Sequence, residues 1–243
     1  MTKAAKIPKA SGDLIDELVA GNHILSHEKV VDAFGHISVR HDKDPGKFLM
    51  ARHLAPGLVS PKDIVTFDLD CNAVANPAKR YYSERFIHGE IYKTRPEVTS
   101  VIHCHAPSLI PFGATQAPLK PIYHMSGYLG AGVPVFDIRQ AFGMTDMLIR
   151  TAELGRALAK SLGDKPIVLM RGHGATMVGH SIKQVVYRAI YAAMNAAMQM
   201  EALRLGSPVY LEGDEAKLAG EMNDRSLDRA WGYWADAAKA KVR

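Results

Sequence analysis

Two short segments carry the residue types best suited to hold a metal ion. The first is Val101-Ile102-His103-Cys104-His105 and the second is Met170-Arg171-Gly172-His173-Gly174. Val98 to Ile102 is a β-branched run following Arg95-Pro96, which predicts a strand ending in the His-Cys-His triplet. Side chains alternate across a strand, so His103 and His105 share one face and Cys104 takes the other. Ile167 to Met170 predicts a second apolar strand, and the glycines on either side of His173 let its backbone turn tightly. Three imidazoles with a coordination position left over describe a catalytic metal site rather than a closed structural one.

The elements that must position these residues are legible in outline. Ser11-Gly12-Asp13 offers a cap for a helix in which Leu14, Leu18 and Leu25 recur, ending near Glu28. Strands are expected over 36–40, 47–51, 64–69 and 133–138. Helices are expected over 83–95, stopped by Pro96, and over 145–162, stopped by Gly163. A last helix, rich in Ala and Met, runs over 181–205 and ends at Gly206; its Met/Ala stripe suits core or a subunit interface. Strands and helices do not alternate strictly, which argues against a doubly wound parallel sheet and for helices flanking a mixed sheet rich in antiparallel pairs. Neither a repeat nor a composition shift divides the 243 residues, so one domain over 1–243 is expected, with loose ends at 1–10 and 236–243.

Composition removes several function classes. The net charge is +5, but Lys and Arg are scattered and concentrate only at the two ends. Without a basic stripe interleaved with aromatics, no nucleic-acid partner is expected; the cation excess suits an anionic small molecule. Two cysteines, Cys71 and Cys104, do not make a disulfide framework. No apolar run reaches membrane-span length and no signal-peptide core is present, so no membrane partner and a cytoplasmic location are expected.

One further group belongs with the histidines. Ser83-Glu84 opens the helix leading into the His-Cys-His strand, and Glu84 and His88 stand four apart on one helical face. A carboxylate beside a divalent cation serves as a ligand or swings off as an acid/base; alone, it is also an ordinary first-turn carboxylate favoured by the helix dipole.

Phe34-Gly35-His36-Ile37-Ser38-Val39-Arg40, Ser83-Glu84 with His88, Ile91-Tyr92 and Arg95-Pro96, the His-Cys-His strand and Gly172-His173-Gly174 occur in that order over roughly residues 10 to 210. This pattern resembles the class II aldolase/adducin family. The resemblance implies a three-layer α/β/α domain with a mixed, largely antiparallel central sheet. It implies one divalent metal ion per subunit (Zn, Mn, Fe or Co) on His103, His105 and His173, with Glu84 as ligand or acid/base. It further implies a homotetramer with active sites near subunit interfaces, where Tyr210 resembles a borrowed C-terminal tyrosine.

Departures from the family's sugar-phosphate aldolases bear on the substrate. Where those enzymes carry small Gly, Ser, Thr and Asn residues that cradle a phosphate, this chain has His36, Arg52-His53 and Tyr82-Ser83. Bulky cationic and aromatic groups suit a flat aromatic carboxylate, with Arg52 as a planar fork and Tyr82 as a face for the ring. Segments 31–36, 110–113 and 123–127 resemble the branch containing hydroxymethylpyridine-dicarboxylate and dihydroxyphthalate decarboxylases, which adds His124 to His36 and Glu84 as catalytic candidates. Arg52, Tyr82, Ser83, His88 and Tyr210 are the expected substrate contacts. The expected activity is a metal-dependent carbon–carbon lyase, foremost a decarboxylase of a hydroxylated aromatic or pyridine (di)carboxylate. The rivals are an aldolase or epimerase on an unphosphorylated hydroxy acid, a non-haem iron oxygenase and an adducin-like scaffold without activity.

Overall fold

Helix α1 (Gly12–His27) starts where the Ser11 hydroxyl accepts the Leu14 amide, as its sequence predicts. Strands β1 (His36–Arg40), β2 (Lys47–Ala51), β3 (Ile64–Asp68) and the short β4 (Ala73–Ala75) follow as an antiparallel run. Helix α2 (Arg85–Thr94) leads into β5 (Ser100–Cys104), and α3 (Ile110–Ala114), β6 (Val135–Phe136) and α4 (Arg139–Phe142) are short pieces between long connections. Helix α5 (Ala152–Leu162), the hairpin β7 (Ile167–Met170) and β8 (Gly174–Gly179), and helices α6 (Ile182–Leu205), α7 (Gly213–Asp224) and α8 (Leu227–Lys241) complete the chain. The structure, a computed structural model, describes residues 7–241.

The strands form one eight-stranded sheet in the order β4-β3-β2-β1-β5-β8-β7-β6, antiparallel except for β6 with β7. Alternation along β1 separates the two faces. Ile37 lies against Gly21 of α1, where Ile182 and Val186 of α6 also pack. His36 and Ser38 point the other way, toward His88 and Tyr92 of α2. With α8 on the α1/α6 side and α5 against α2, the layers are helix, sheet, helix.

Two expectations need correction. The helix expected from Thr145 begins only at Ala152, capped by the Thr151 hydroxyl. Upstream, Thr145 Oγ1 accepts the Met147 amide and Asp146 Oδ1 the Leu148 amide, local bonds that compete with helix, and Met147 adopts a φ of 70°. The 133–138 strand shrinks to Val135–Phe136. At the ends, the Pro8 and Lys9 carbonyls accept His41 and Lys43, and α8 runs to Lys241. Residues 1–6 and 242–243 lie outside the described residues. Strand β8 and helices α7 and α8 had no sequence expectation; β8 is bracketed by glycines, and α7 is mostly exposed.

No helix among the described residues is long and apolar enough to cross a membrane. Cys71 and Cys104 are both buried free thiols.

Candidate metal centre and adjoining cavity

The register of β1, β5 and β8 sets the site. His36 pairs with His103, and His103 with Thr176, so one row crosses three adjacent strands. His103 is the penultimate residue of β5 and His105 stands just past its end, on the same side by alternation. His173 sits in the β7–β8 hairpin, where Gly172 takes a φ of 63°. Gly174 is required for a different reason: a Cβ there would lie 2.1 Å from the Cys104 carbonyl oxygen. The two histidine-bearing strands approach as closely as backbone permits.

The imidazoles converge through their Nε2 atoms. His105 Nε2 is 3.0 Å from His103 Nε2 and 3.1 Å from His173 Nε2. Glu84 Oε2 stands 3.6 Å from the Nε2 atoms of both His103 and His173. All four ligand atoms lie within 4.8 Å of one another. Glu84 is the residue at the N-cap of α2, one turn ahead of His88. Its carboxylate caps nothing on its own helix; Oε1 accepts the Ile149 amide at 3.0 Å. His173 Nδ1 is 3.0 Å from the Met147 carbonyl, an acceptor that fixes the proton on Nδ1 and leaves the Nε2 lone pair free.

This donor set fits a divalent cation. Burial holds His103 well below the usual histidine range, with the neighbouring imidazoles adding to the effect, and lowers His105 as well. Neutral imidazoles are what a metal requires. Three lone pairs crowded this closely repel unless a cation lies between them. Two nitrogens about 2.1 Å from one ion at a right angle are about 3.0 Å apart, the spacing found here. Burial also raises Glu84, opposed by His173 and by the Ile149 amide.

A cavity of about 250 Å³ opens beside the cluster. Its lining includes Phe34, His36, Leu54, Tyr82, Glu84 and His105. The rings of His36 and Tyr82 are 4.7 Å apart, and the Tyr82 hydroxyl donates to the Leu54 carbonyl. Burial pushes the Tyr82 phenol up to about 12. Ser83, His53 and Leu148 also line the cavity.

Several expected residues stand elsewhere. Arg52 lines a neighbouring groove, and its Nε donates to Asp63 Oδ1 at 2.7 Å. Asp63 is nearly inaccessible and stays ionised, so the ion pair draws the guanidinium off the cavity, and His53 stands between. His88 is a wall away from any substrate: fully buried, with its two ring nitrogens bonded to His36 and Ser38. His124 lines a separate hollow between α6, α7 and α8. Tyr210 accepts from Gln199 Nε2 at 3.2 Å, with Lys120 over its ring, and lines no part of the cavity. Sequence reasoning named His53 and Phe34 without giving either its own place in the site, and missed the Met147–Ile149 segment. The turn-forming Thr145-Asp146 pair was the available sign that this segment is not helical.

Comparison with known proteins agrees with this architecture. Residues 16–200 match the model of the Class II Aldolase and Adducin N-terminal domain. The chain is 40% identical to decarboxylase tropJ of Talaromyces stipitatus, over 89% of this chain and 90% of that one. It is 27% identical to the 3,4-dihydroxyphthalate decarboxylase of Arthrobacter keyseri, over 86% and 87%. Among solved structures, an aldolase II superfamily protein from Pseudomonas syringae superposes with a TM-score of 0.79 at 20% identity, covering 97% of this chain and 96% of that one. The chain belongs to the class II aldolase/adducin family, and within it is an enzyme, a lyase.

Proposed function

We propose that the chain is a divalent-metal-dependent decarboxylase acting on a hydroxylated aromatic or pyridine carboxylate. The observation that carries this reading is the cavity beside the histidine cluster. It is walled by Phe34, Tyr82, Leu54 and Leu148, a slot suited to a planar ring rather than to a phosphate. Its relatives named as decarboxylases, one of them for 3,4-dihydroxyphthalate, support the same reaction class.

His103, His105 and His173 would hold the ion, which when bound supplies a Lewis acid that draws electron density from the ring as carbon dioxide departs, and Glu84 stands beside it. Tyr82 and Phe34, both in the cavity lining, would flank the ring. His36 faces the substrate oxygens, while Glu84, whose burial favours its protonated form, returns a proton to the ring carbon. With His36 and Tyr82 where a phosphate would have to sit, a sugar phosphate is a poor fit. His124 and Tyr210 stand away from this cavity, and in a homotetramer Tyr210 would serve a neighbouring subunit's site.

The test is a screen of hydroxylated aromatic and pyridine carboxylates for carbon dioxide release, on protein of measured zinc, manganese, iron and cobalt content. Release that falls at least a hundredfold in Glu84→Gln is expected. Cleavage of a hydroxy acid to an aldehyde without carbon dioxide would replace decarboxylation with aldol chemistry, and oxygen consumption with bound iron would replace both.

A further inference from the structure

A buried chain of four polar side chains runs away from the cavity into the α2 layer. His36 Nδ1 is 2.7 Å from His88 Nε2, His88 Nδ1 is 2.6 Å from Ser38 Oγ, and Ser38 Oγ is 2.7 Å from the Tyr92 hydroxyl. Ser38, His88 and Tyr92 are fully enclosed, and only His36 reaches the cavity. Among the described residues His36 Nε2 has no hydrogen-bond partner.

Such a chain has two settings, because each link holds one proton. In one, Tyr92 donates to Ser38, Ser38 to His88 Nδ1, and His88 Nε2–H to His36 Nδ1. His36 is then protonated on Nε2 and offers the cavity a donor. In the other setting every link reverses, His36 offers a lone pair, and the Tyr92 proton must go to the Thr99 carbonyl. That carbonyl is 3.4 Å from the Tyr92 hydroxyl and already accepts the Arg40 amide at 2.7 Å. A bond at 3.4 Å is at the outer limit, whereas 2.7 Å is ideal for one hydroxyl donating to another. The Arg40 guanidinium, 4.7 Å over the Tyr92 ring, withdraws electron density and strengthens the phenol as a donor.

We infer that Tyr92, acting through Ser38 and His88, is a positioning residue that holds His36 as its Nε2–H tautomer, a hydrogen-bond donor to an anionic oxygen of the substrate. A donor keeps a carboxylate ionised, the form from which carbon dioxide departs, and leaves proton delivery to the ring carbon to another group. The inference about the tautomer stands on the chain alone; only its kinetic consequence rests on the function proposed above.

The experiment is a long-range proton–nitrogen correlation spectrum of the zinc-loaded full chain carrying ¹⁵N-histidine, with His36 assigned by the loss of its signals in His36→Gln. A protonated Nε2 and unprotonated Nδ1 are expected for His36. Tyr92→Phe, which keeps the ring and its Arg40 contact, and Ser38→Ala should each shift both nitrogens toward averaged values. With the best acid from the screen, Tyr92→Phe should raise KM by roughly five- to tenfold, as for one neutral hydrogen bond, with kcat changed less. An unprotonated Nε2 in the parent protein, or a tautomer unmoved in both variants, would overturn the inference. The expected tautomer in a protein that decarboxylates no acid would sink the proposed function and leave this inference standing.

Discussion

Two hollows in this chain make an instructive contrast. The larger, about 630 Å³ between α6, α7 and α8, is lined by Tyr187, Tyr191, Tyr233 and Trp234 with His124 at its edge. The smaller, about 250 Å³, adjoins three histidines and a carboxylate whose free atoms all aim at one point. In the large hollow two of the polar side chains bond to neighbouring carbonyls: Tyr187 donates to the Met125 carbonyl and Asn223 to that of His124. Volume follows from how loosely aromatic helices fit together, whereas chemistry follows from convergence of groups whose backbones are fixed by sheet register.

The difference can be broken most forcefully at His173. In His173→Ala, turnover should fall by about a thousandfold or more together with metal content, since catalysis and binding share that nitrogen. Full metal occupancy by elemental analysis would separate the cluster from any ion. The large hollow should respond in the opposite sense. Trp234→Ala removes a buried ring packed against Tyr187 and Tyr191, and should cost about 3–5 kcal/mol in denaturant unfolding while metal content stays whole.

The two regions also part by pH. Burial pushes His36 from 6.5 down to about 3 and holds His88 well below the usual range. Between those limits the unfolded chain takes up protons that the folded one refuses, so stability falls as pH drops from about 6.5 toward 3. Each such histidine should remove about 1.4 kcal/mol per pH unit in that window. Denaturant midpoints of metal-free protein from pH 7 to 4 would show it, and His88→Gln should flatten the slope by one histidine. The smallest effect is expected at Arg52. Its partly exposed pair with Asp63 is worth about 1 kcal/mol or less, and Arg52→Ala should change KM by under about threefold by the same arithmetic. A thirtyfold rise in KM would return Arg52 to the substrate.

How far the sequence leads depends on the range of the physics involved. Alternation along β5 is local, so His103 and His105 on one side could be read directly from the sequence. The mixed, mostly antiparallel sheet with helical layers followed from the strand and helix patterns and the family resemblance. Glu84 was legible as a neighbour of the cluster, but not its place ahead of α2, because helix ends are set by local competition among single bonds. Arg52 shows the limit: its residue type fits a carboxylate, and only the fold reveals that Asp63 is the carboxylate it meets. The His36–His88–Ser38–Tyr92 chain links β1 to α2 across a layer, and nothing in residue spacing announces such a bond.

The spacing of the four convergent residues has a consequence for how the molecule assembles. His103 and His105 are two positions apart, whereas His173 joins His105 across 68 residues. An unfolded chain therefore already owns a weak two-tooth grip on an ion, long before the hairpin that brings the third tooth exists. Ions held by the unfolded state subtract from the stabilisation the native state gains, so added metal should raise the melting temperature less than native affinity alone implies. The same early grip gives the long loop something to close upon, and closing a loop becomes only slowly more demanding as it lengthens. Metal should then quicken the docking of β8 onto β5, leaving a signature in refolding rates rather than in the finished structure.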